Sequence, residues 1–263
     1  MPWRCVIVLA FVPAFGCTMN QGPVAALIDK ITPPSPREVA ANAFDVDPDL
    51  RRDSVAQLSA APFGGEEPYL RLYRLLITDP DDTVRAACVK ALGLHGTPED
   101  VDRIIVRMSD SSPVVRWQAA QALQKIHHPD AIDPLTKALA HDEDADVRQA
   151  AAEALGQYPR RSVFNALVEA LEDPQYGVAA AARQALVTLT GYDFGTDTTL
   201  WLTYAKENAE TIFEHQQQYT WMPFDKPPTL MERVKFWKRH KKPTPQVPAG
   251  YDQQEVAGSD AGS

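Results

Sequence analysis

The stretch that decides the fold runs from Asp79 to Gly93 and reads DPDDTVRAACVKALG. The same frame returns at Asp110, Asp142 and Asp173, and a degenerate copy begins at Asp45. Successive copies start 34, 31, 32 and 31 residues apart. A period of about 20–50 residues is typical of solenoids, in which each unit buries its apolar face against its neighbours. The sequence therefore predicts a stack of similar units over residues 39–190.

Each copy contains two stretches with helical periodicity. In the copy quoted above, the second stretch carries Val84, Ala87, Ala91 and Leu92, whose offsets return to one helix face. The dipeptides Thr97-Pro98 and Ser112-Pro113 indicate helix starts, because Ser and Thr favour the N-cap and Pro the first helical position. The 13 glycines and 22 prolines also suit helices joined by Pro-marked turns. We expect about five helical hairpins.

This pattern resembles the HEAT-repeat superfamily, in the short bacterial form also seen in phycobilin-lyase-like proteins, over residues 40–190. The resemblance implies an all-α fold, an α-solenoid of about five HEAT-like helical hairpins. It also implies that the turn residues form a structural ladder between neighbouring repeats. The ladder residues are Asp79, Arg85, Asp110, Arg116, Asp142 and Arg148. Catalysis by these pairs is the weaker interpretation, since a catalytic pair has no reason to recur in every repeat.

The N-terminus has the pattern of a secretory signal. One basic residue, Arg4, precedes an uninterrupted apolar run over residues 5–15, which is shorter than the roughly 20 residues needed to span a bilayer. The motif Ala14-Phe15-Gly16-Cys17 resembles a bacterial lipobox. That resemblance implies that Cys17 is acylated and becomes the first residue of the mature chain. Plain secretion and an uncleaved form are the alternatives.

These features divide the chain into five segments. They are a signal peptide (1–16), a tether (17–38), the repeat solenoid (39–190), a C-terminal cap with a basic helix (191–242) and a disordered tail (243–263). The expected location is the cell envelope, where a membrane-anchored lipoprotein would face the periplasm or the exterior. A soluble periplasmic or secreted protein is the alternative.

The cap is predicted from a break in the repeat rhythm. The turn over residues 189–195 is followed by a new helix with Trp201, an arrangement that resembles the terminal cap of bacterial HEAT-repeat proteins. The last repeat of a solenoid exposes an apolar face, which aromatic side chains can cover. Trp201 is therefore expected to be structural.

A basic amphipathic helix is predicted further along the chain. Residues 226–242 hold seven Lys or Arg and one Glu, whereas residues 39–222 hold 16 basic and 28 acidic residues. The candidate membrane or partner contacts are Lys235, Trp237, Lys238, Arg239 and Lys242. Such a helix can lie on an anionic membrane or bind a partner, or it can fold back on the acidic solenoid. The net charge of −9 argues against a nucleic-acid partner.

The sequence contains no motif that names a reaction. Walker-type loops, Gly-rich dinucleotide loops and HExxH are absent, so no catalytic residue, cofactor or metal site is predicted. His95, His127 and His128 fall at the exits of second helices, where solvated histidines are more common than metal ligands. Cys88 lies on an apolar helix face and is expected in the core.

The sequence is consistent with two candidate functions. The favoured one is a non-enzymatic scaffold for an unknown protein partner, tethered to the bacterial envelope. The alternative is a phycobilin-lyase-like or other ligand-handling enzyme that uses the concave face of the solenoid. Polar or titratable groups on the inward helices would favour the alternative, but mostly apolar and Ala residues are expected there.

Overall fold

A computed structural model of the chain describes residues 35–223 and 243–251. These residues form eleven α-helices, joined by short turns, and no strand beyond two isolated β-bridges. The helices are α1 (Pro36–Asn42), α2 (Pro48–Ala60), α3 (Glu67–Leu76), α4 (Asp82–His95), α5 (Val101–Arg107), α6 (Pro113–Lys125), α7 (Ile132–His141), α8 (Ala145–Leu155), α9 (Arg161–Ala170), α10 (Tyr176–Thr190) and α11 (Thr198–Glu207). Single 3₁₀ turns over Pro98–Asp100 and Pro129–Ala131 lead into α5 and α7.

The first ten helices pair in chain order as five hairpins, and α11 packs against α9. The even-numbered helices, which are the second of each hairpin, form one layer and the first helices form the other. The predicted all-α solenoid is therefore confirmed. In the described part of the chain, no helix is long and apolar enough to span a bilayer.

The core lies between the two layers and repeats with the sequence. The second helices α4, α6, α8 and α10 each contribute one leucine at the same position of the copy, and each is fully buried: Leu92, Leu123, Leu155 and Leu186. Facing them are the equally buried Ile104, Leu135 and Leu167 of the first helices. Burial of such a side chain stabilises the fold by about 1.5–3 kcal/mol relative to its exposure. Because every hairpin contributes the same positions, one continuous core forms along the stack.

Small residues bring neighbouring second helices into close contact. Ala119, Ala122 and Ala151 are fully buried along this layer. The closest approach is at Gly93 of α4, where an added Cβ would lie 2.7 Å from the Cβ of Ala122 and 2.8 Å from its Cα. Since the second helices pack more closely than the first helices, their layer forms the inner, concave side of the stack.

The end of the stack is closed by aromatic side chains. Trp201 of α11 is fully buried, and its indole N–H donates a hydrogen bond to the carbonyl of Gly195 at 3.0 Å. The ring of Phe194 meets Trp201 edge to face, with 4.9 Å between the ring centroids. Asp197 caps α11 by accepting from the backbone N–H of Thr199 at 2.9 Å. This arrangement covers the apolar face of the last hairpin.

Beyond α11 the chain turns back along the stack. Residues 208–223 and 243–251, here called the C-terminal strap, contact the C-terminal ends of the second helices. The backbone N–H of Gln217 donates to the carbonyl of Thr188 in α10, and the hydroxyl of Tyr219 donates to the carbonyl of Glu153 in α8, each at 2.8 Å. At α6, Ala249 pairs with the backbone on either side of Ile126.

The strap corrects the predicted extent of the disordered tail. Residues 243–251 pack against the solenoid, and Gln246 pairs with Trp221 through two backbone hydrogen bonds of 2.8 and 2.9 Å. The last carbonyl groups of a helix lack partners within the helix, and the strap supplies donors to them. Residues 252–263, and the predicted signal peptide and basic helix, lie outside the described part of the chain.

The contact at Gly93 gives a test of the packing. We expect Gly93→Ala to lower the free energy of unfolding by about 1–3 kcal/mol, because the new methyl group overlaps Ala122. Gly177→Ala is the matched control, since its methyl group meets only the flexible end of Gln149. Urea unfolding of both variants measures the difference, and equal stability would contradict the close approach of α4 and α6.

Candidate functional site

A ladder of arginines joins successive turns of the stack. Arg85 donates from Nε and one terminal nitrogen to the carboxylate of Asp110 in the next repeat, at 2.9 and 2.8 Å. Its other terminal nitrogen donates to the carbonyls of Asp79 and Pro80 in its own turn, at 2.9 and 3.0 Å. The same pattern joins Arg51 to Asp79, Arg116 to Asp142 and Arg148 to Asp173.

The arginines do not form ion pairs with the aspartates that lie six residues before them in the sequence. Arg85 follows Asp79 by six residues in the sequence, but its guanidinium contacts only the backbone carbonyl of Asp79. The ion pair of Arg85 is with the carboxylate of Asp110. Each carboxylate also accepts the backbone N–H two residues further on, as Asp110 does from Ser112 at 3.1 Å. One carboxylate thus orders its own turn and holds the arginine of the preceding repeat.

Three of the ladder carboxylates, those of Asp110, Asp142 and Asp173, have lowered pKa values despite their burial. Burial opposes ionisation of Asp110, but the guanidinium of Arg85 and the N–H of Ser112 outweigh it and lower the pKa of Asp110 below its ordinary value. The pKa values of Asp142 and Asp173 are lowered for the same reasons. Their hydrogen-bonding capacity is occupied by the ladder, which makes these residues positioning elements for the surface beside them.

That surface is the concave face of the second helices. Seven and eleven residues after each ladder aspartate lie two sets of positions along this face, of which only Ala86 is buried, while Trp117 is half-buried against the core. The first set is Ala86, Trp117, Gln149 and Ala180, and the second is Lys90, Gln121, Glu153 and Gln184. On these helices most alanines are buried against their neighbours, and the polar side chains of Gln121, Gln149 and Glu153 are added to the apolar and Ala residues expected there.

A cleft of about 260 Å³ lies between α6 and α8 on this face. It is lined by Trp117 and Gln121 from α6 and by Asp146, Gln149 and Glu153 from α8. We call this feature the concave cleft. Trp117 could have been found from the sequence, because it stands where the neighbouring copies carry Ala86 and Gln149.

The acidic wall of the concave cleft is ordered by its neighbours. The amide of Gln149 donates to Oε1 of Glu153 at 3.0 Å. Gly177 of α10 leaves room for Gln149, since an added Cβ would lie 2.5 Å from its Oε1. On the other side, Tyr219 of the strap holds the backbone of Glu153. The backbone of Glu153 is therefore anchored, and its carboxylate is oriented by the amide of Gln149.

The opposite end of the concave face is basic. The ammonium of Lys125 lies 5.2 Å from the ring centroid of Trp221 in the strap. Burial and, to a smaller extent, the nearby charge of Lys90 together lower the pKa of Lys125 to about 8. The face is thus bipolar, with lysines at α4 and α6 and carboxylates at α8.

The three histidines at the exits of the second helices each have a contact within the fold. His95 forms a 2.7 Å hydrogen bond with the carbonyl of Ser59, and His127 forms one of 3.0 Å with the amide oxygen of Gln157. His128 lies 3.7 Å from the carboxylate of Asp130. Within residues 35–223 and 243–251, no group of three or more His, Cys, Asp or Glu is arranged to hold a metal ion.

The remaining sequence candidates divide into one buried residue and a set outside the described ranges. Cys88 is fully buried, and burial raises the pKa of its thiol. The residues outside the described ranges are Cys17, Lys235, Trp237, Lys238, Arg239 and Lys242.

Comparison with known proteins identifies HEAT repeats in the middle of the chain. The family described as HEAT repeats matches residues 69–156 and, in an overlapping match, residues 102–187. The predicted HEAT-like character of the repeats is confirmed over this span. The chain is also 29% identical over 120 residues to the bilin biosynthesis protein PecE of Mastigocladus laminosus. This match covers 46% of the chain and 43% of PecE, so the chain spans less than half the length of that relative.

Two solved structures are similar to this chain. The X-ray structure of YibA from Escherichia coli has a TM-score of 0.53 at 20% identity, over 67% of this chain and 65% of YibA. A chain in the complex of CpcE and CpcF of phycocyanin lyase from Nostoc sp. PCC7120 has a TM-score of 0.46 at 22% identity. The match covers 57% of this chain and 96% of that chain of the complex. At this identity, the likeness to YibA shows the fold alone.

The ladder predicts how stability depends on acid. The pKa values of Asp110, Asp142 and Asp173 are lowered in the folded protein, whereas the pKa of an aspartate in an unfolded chain is about 3.9. The stabilisation is therefore complete above that value and is lost as the pH falls through the folded-state pKa values. Urea unfolding should show a lower free energy at about pH 3 than at about pH 5. Arg116→Met should reduce that difference, and equal free energies at the two pH values would contradict the ladder.

Proposed function

We propose that the protein is a non-enzymatic scaffold whose concave face binds a segment of a partner protein. The observation that carries the proposal is the concave cleft, in which the half-buried Trp117 lies among amide and carboxylate groups. Aromatic residues are enriched in protein interfaces, and amides can pair with a partner's backbone. Helical-repeat solenoids commonly use such an extended concave face for binding.

The strap provides an intramolecular example of such binding. Gln217 donates its backbone N–H to α10, whereas the side chains of Tyr219 and Trp221 reach α8 and Lys125 of α6, so contacts with successive second helices are two strap residues apart. Alternate side chains of an extended chain point the same way. An extended partner segment can follow the same register along the rest of the layer and present every second side chain to the concave face.

The size of the concave cleft also favours a polypeptide partner. Sites for small molecules and cofactors typically enclose about 300–1,000 Å³ and bury most of the ligand. The concave cleft is smaller, at about 260 Å³, and is open on one side. It suits a single side chain of a larger partner better than a whole pigment or metabolite.

A ligand-handling enzyme is the second candidate. It is favoured by the similarity to PecE, whose name assigns it to bilin biosynthesis, and by the polar groups that line the concave face. In that case the concave cleft would form part of a larger pigment site. The scaffold remains the better supported function, because the strap shows an extended chain already seated on the second-helix layer.

We also propose that the scaffold is held at the bacterial cell envelope by a lipid on Cys17. The proposal rests on the apolar run over residues 5–15 and on the lipobox-like motif that follows it. The basic residues Lys235, Lys238 and Arg239 would add contact with an anionic membrane or with the partner. The concave face would then be presented to the periplasm or to the exterior.

Binding at the concave face can be tested by photo-cross-linking in the producing cells. A photoreactive phenylalanine at Gln121, in the concave cleft, should form a discrete adduct with one protein that mass spectrometry identifies. The same group at Arg103, exposed on the outer helix α5, should not form it. The adduct at Gln121 should weaken at least tenfold when Trp117→Leu is added, because the aromatic contact is lost.

Two results would overturn the scaffold. One is the same set of adducts from both positions, which would indicate non-specific contact. The other is the absence of any adduct at Gln121, together with saturable binding of a bilin by the purified protein that Trp117→Leu abolishes.

The membrane anchor has a separate test. Metabolic labelling with a fatty acid should mark the wild-type protein and Cys88→Ala, but not Cys17→Ala, since Cys17 alone carries the proposed acyl chain. Labelling that survives Cys17→Ala, or no labelling of the wild type, would refute the anchor.

A further inference from the structure

Building on the proposed function, we propose that the concave cleft recognises a lysine or arginine side chain of an extended partner segment. The face of Trp117 would pack against the cation, and the carboxylates of Asp146 and Glu153 would neutralise it. The carboxylates on α8 would then make the concave cleft bind a cationic side chain more tightly than a neutral one.

The first argument is the combination of groups that line the concave cleft. A tryptophan face attracts a cation through its quadrupole, and the attraction is stronger where water is excluded than in exposed sites. Trp117 is half-buried, so its ring lies between these two situations. Asp146 and Glu153 line the same cleft. An aromatic face beside two carboxylates matches a long cationic side chain with an apolar stem.

The second argument is that these carboxylates are distinct from those of the ladder. Asp110, Asp142 and Asp173 are each held by an arginine of the preceding repeat. Glu153 instead accepts from the neutral amide of Gln149, which positions the carboxylate without cancelling its charge. A partner's cation can therefore supply the compensating charge, and it meets a carboxylate that is already oriented.

The third argument is the charge around the concave cleft. Residues 39–222 carry 28 acidic and 16 basic side chains, and this excess attracts a cationic segment over a distance of about one Debye length. Positive charge lies on the side away from α8, at Lys90 of α4 and at Lys125 at the C-terminal end of α6. A cationic side chain is thus favoured at α8 and repelled at the opposite end, which fixes where along the groove the partner's cation lies.

The experiment uses full-length protein with its tryptophans labelled with ¹⁵N. The probes are three acetylated and amidated heptapeptides of Gly and Ser that carry arginine, glutamine or glutamate at the central position. We expect the arginine peptide to shift the indole signal of Trp117 saturably, with at least tenfold tighter binding than either other peptide. Trp117→Leu assigns the signal, since that variant lacks it.

Glu153→Gln should weaken binding of the arginine peptide at least tenfold, because it removes the oriented charge and keeps the shape of the side chain. Glu143→Gln is the matched control. Glu143 is exposed in the turn before α8 and does not line the cleft, so its loss should change binding less than twofold. Thermal unfolding of each variant checks that the solenoid is intact. If Trp117→Leu fails to fold, the comparison of Glu153→Gln with Glu143→Gln still tests the inference.

Two outcomes would overturn the inference. One is equal binding of the arginine and glutamine peptides. The other is an equal effect of Glu153→Gln and Glu143→Gln, which would reduce the interaction to a general attraction by the acidic surface. Either outcome leaves the scaffold standing if the Gln121 adduct still forms in cells, so the two proposals fail separately.

Discussion

The arginine ladder is the interaction on which the rest of the molecule depends. Each guanidinium bridges two turns, since it binds the carboxylate of the next repeat and the backbone carbonyls of its own. The distance between neighbouring hairpins is thereby fixed at one edge of the stack. Removal of one partner of such a buried pair typically destabilises a protein by about 3–5 kcal/mol, because the remaining charge is left without compensation. The ladder therefore acts mainly by excluding other arrangements of the repeats.

The small residues between neighbouring second helices set the spacing of the hairpins on the inner layer, as the ladder does at the turns. Gly93 and Ala122 allow α4 and α6 to touch, and this close spacing lets groups on successive second helices form one surface. The side chains that do not face a neighbouring helix then line the concave face, with carboxylates at α8 and lysines at α4 and α6. The proposed binding chemistry follows from this separation of packing positions and open positions within each copy.

Much of the architecture could be predicted from the sequence, because the same residues recur at one spacing. The turn aspartates and the arginines after them were sufficient to predict a ladder, but the carboxylate that each arginine binds depends on the stacking of hairpins. Strap residues 243–251 were missed because their composition is that of a flexible tail and their contacts are backbone bonds to distant helices. Trp117 was overlooked although it is the aromatic exception at an open position of the repeat, and that signal was available from aligning the copies.

The central claim is that the arginine–aspartate pairs hold neighbouring repeats together. A double-mutant cycle on Arg116 and Asp142 tests it most directly, with Arg116→Met, Asp142→Asn and the double variant compared by urea unfolding. The geometry, with distances of 2.7 and 2.9 Å, predicts a coupling free energy of about 1.5–3 kcal/mol between the two residues. Additive effects, within about 0.5 kcal/mol, would contradict the claim and would leave the packing of the helices as the source of the stack's geometry.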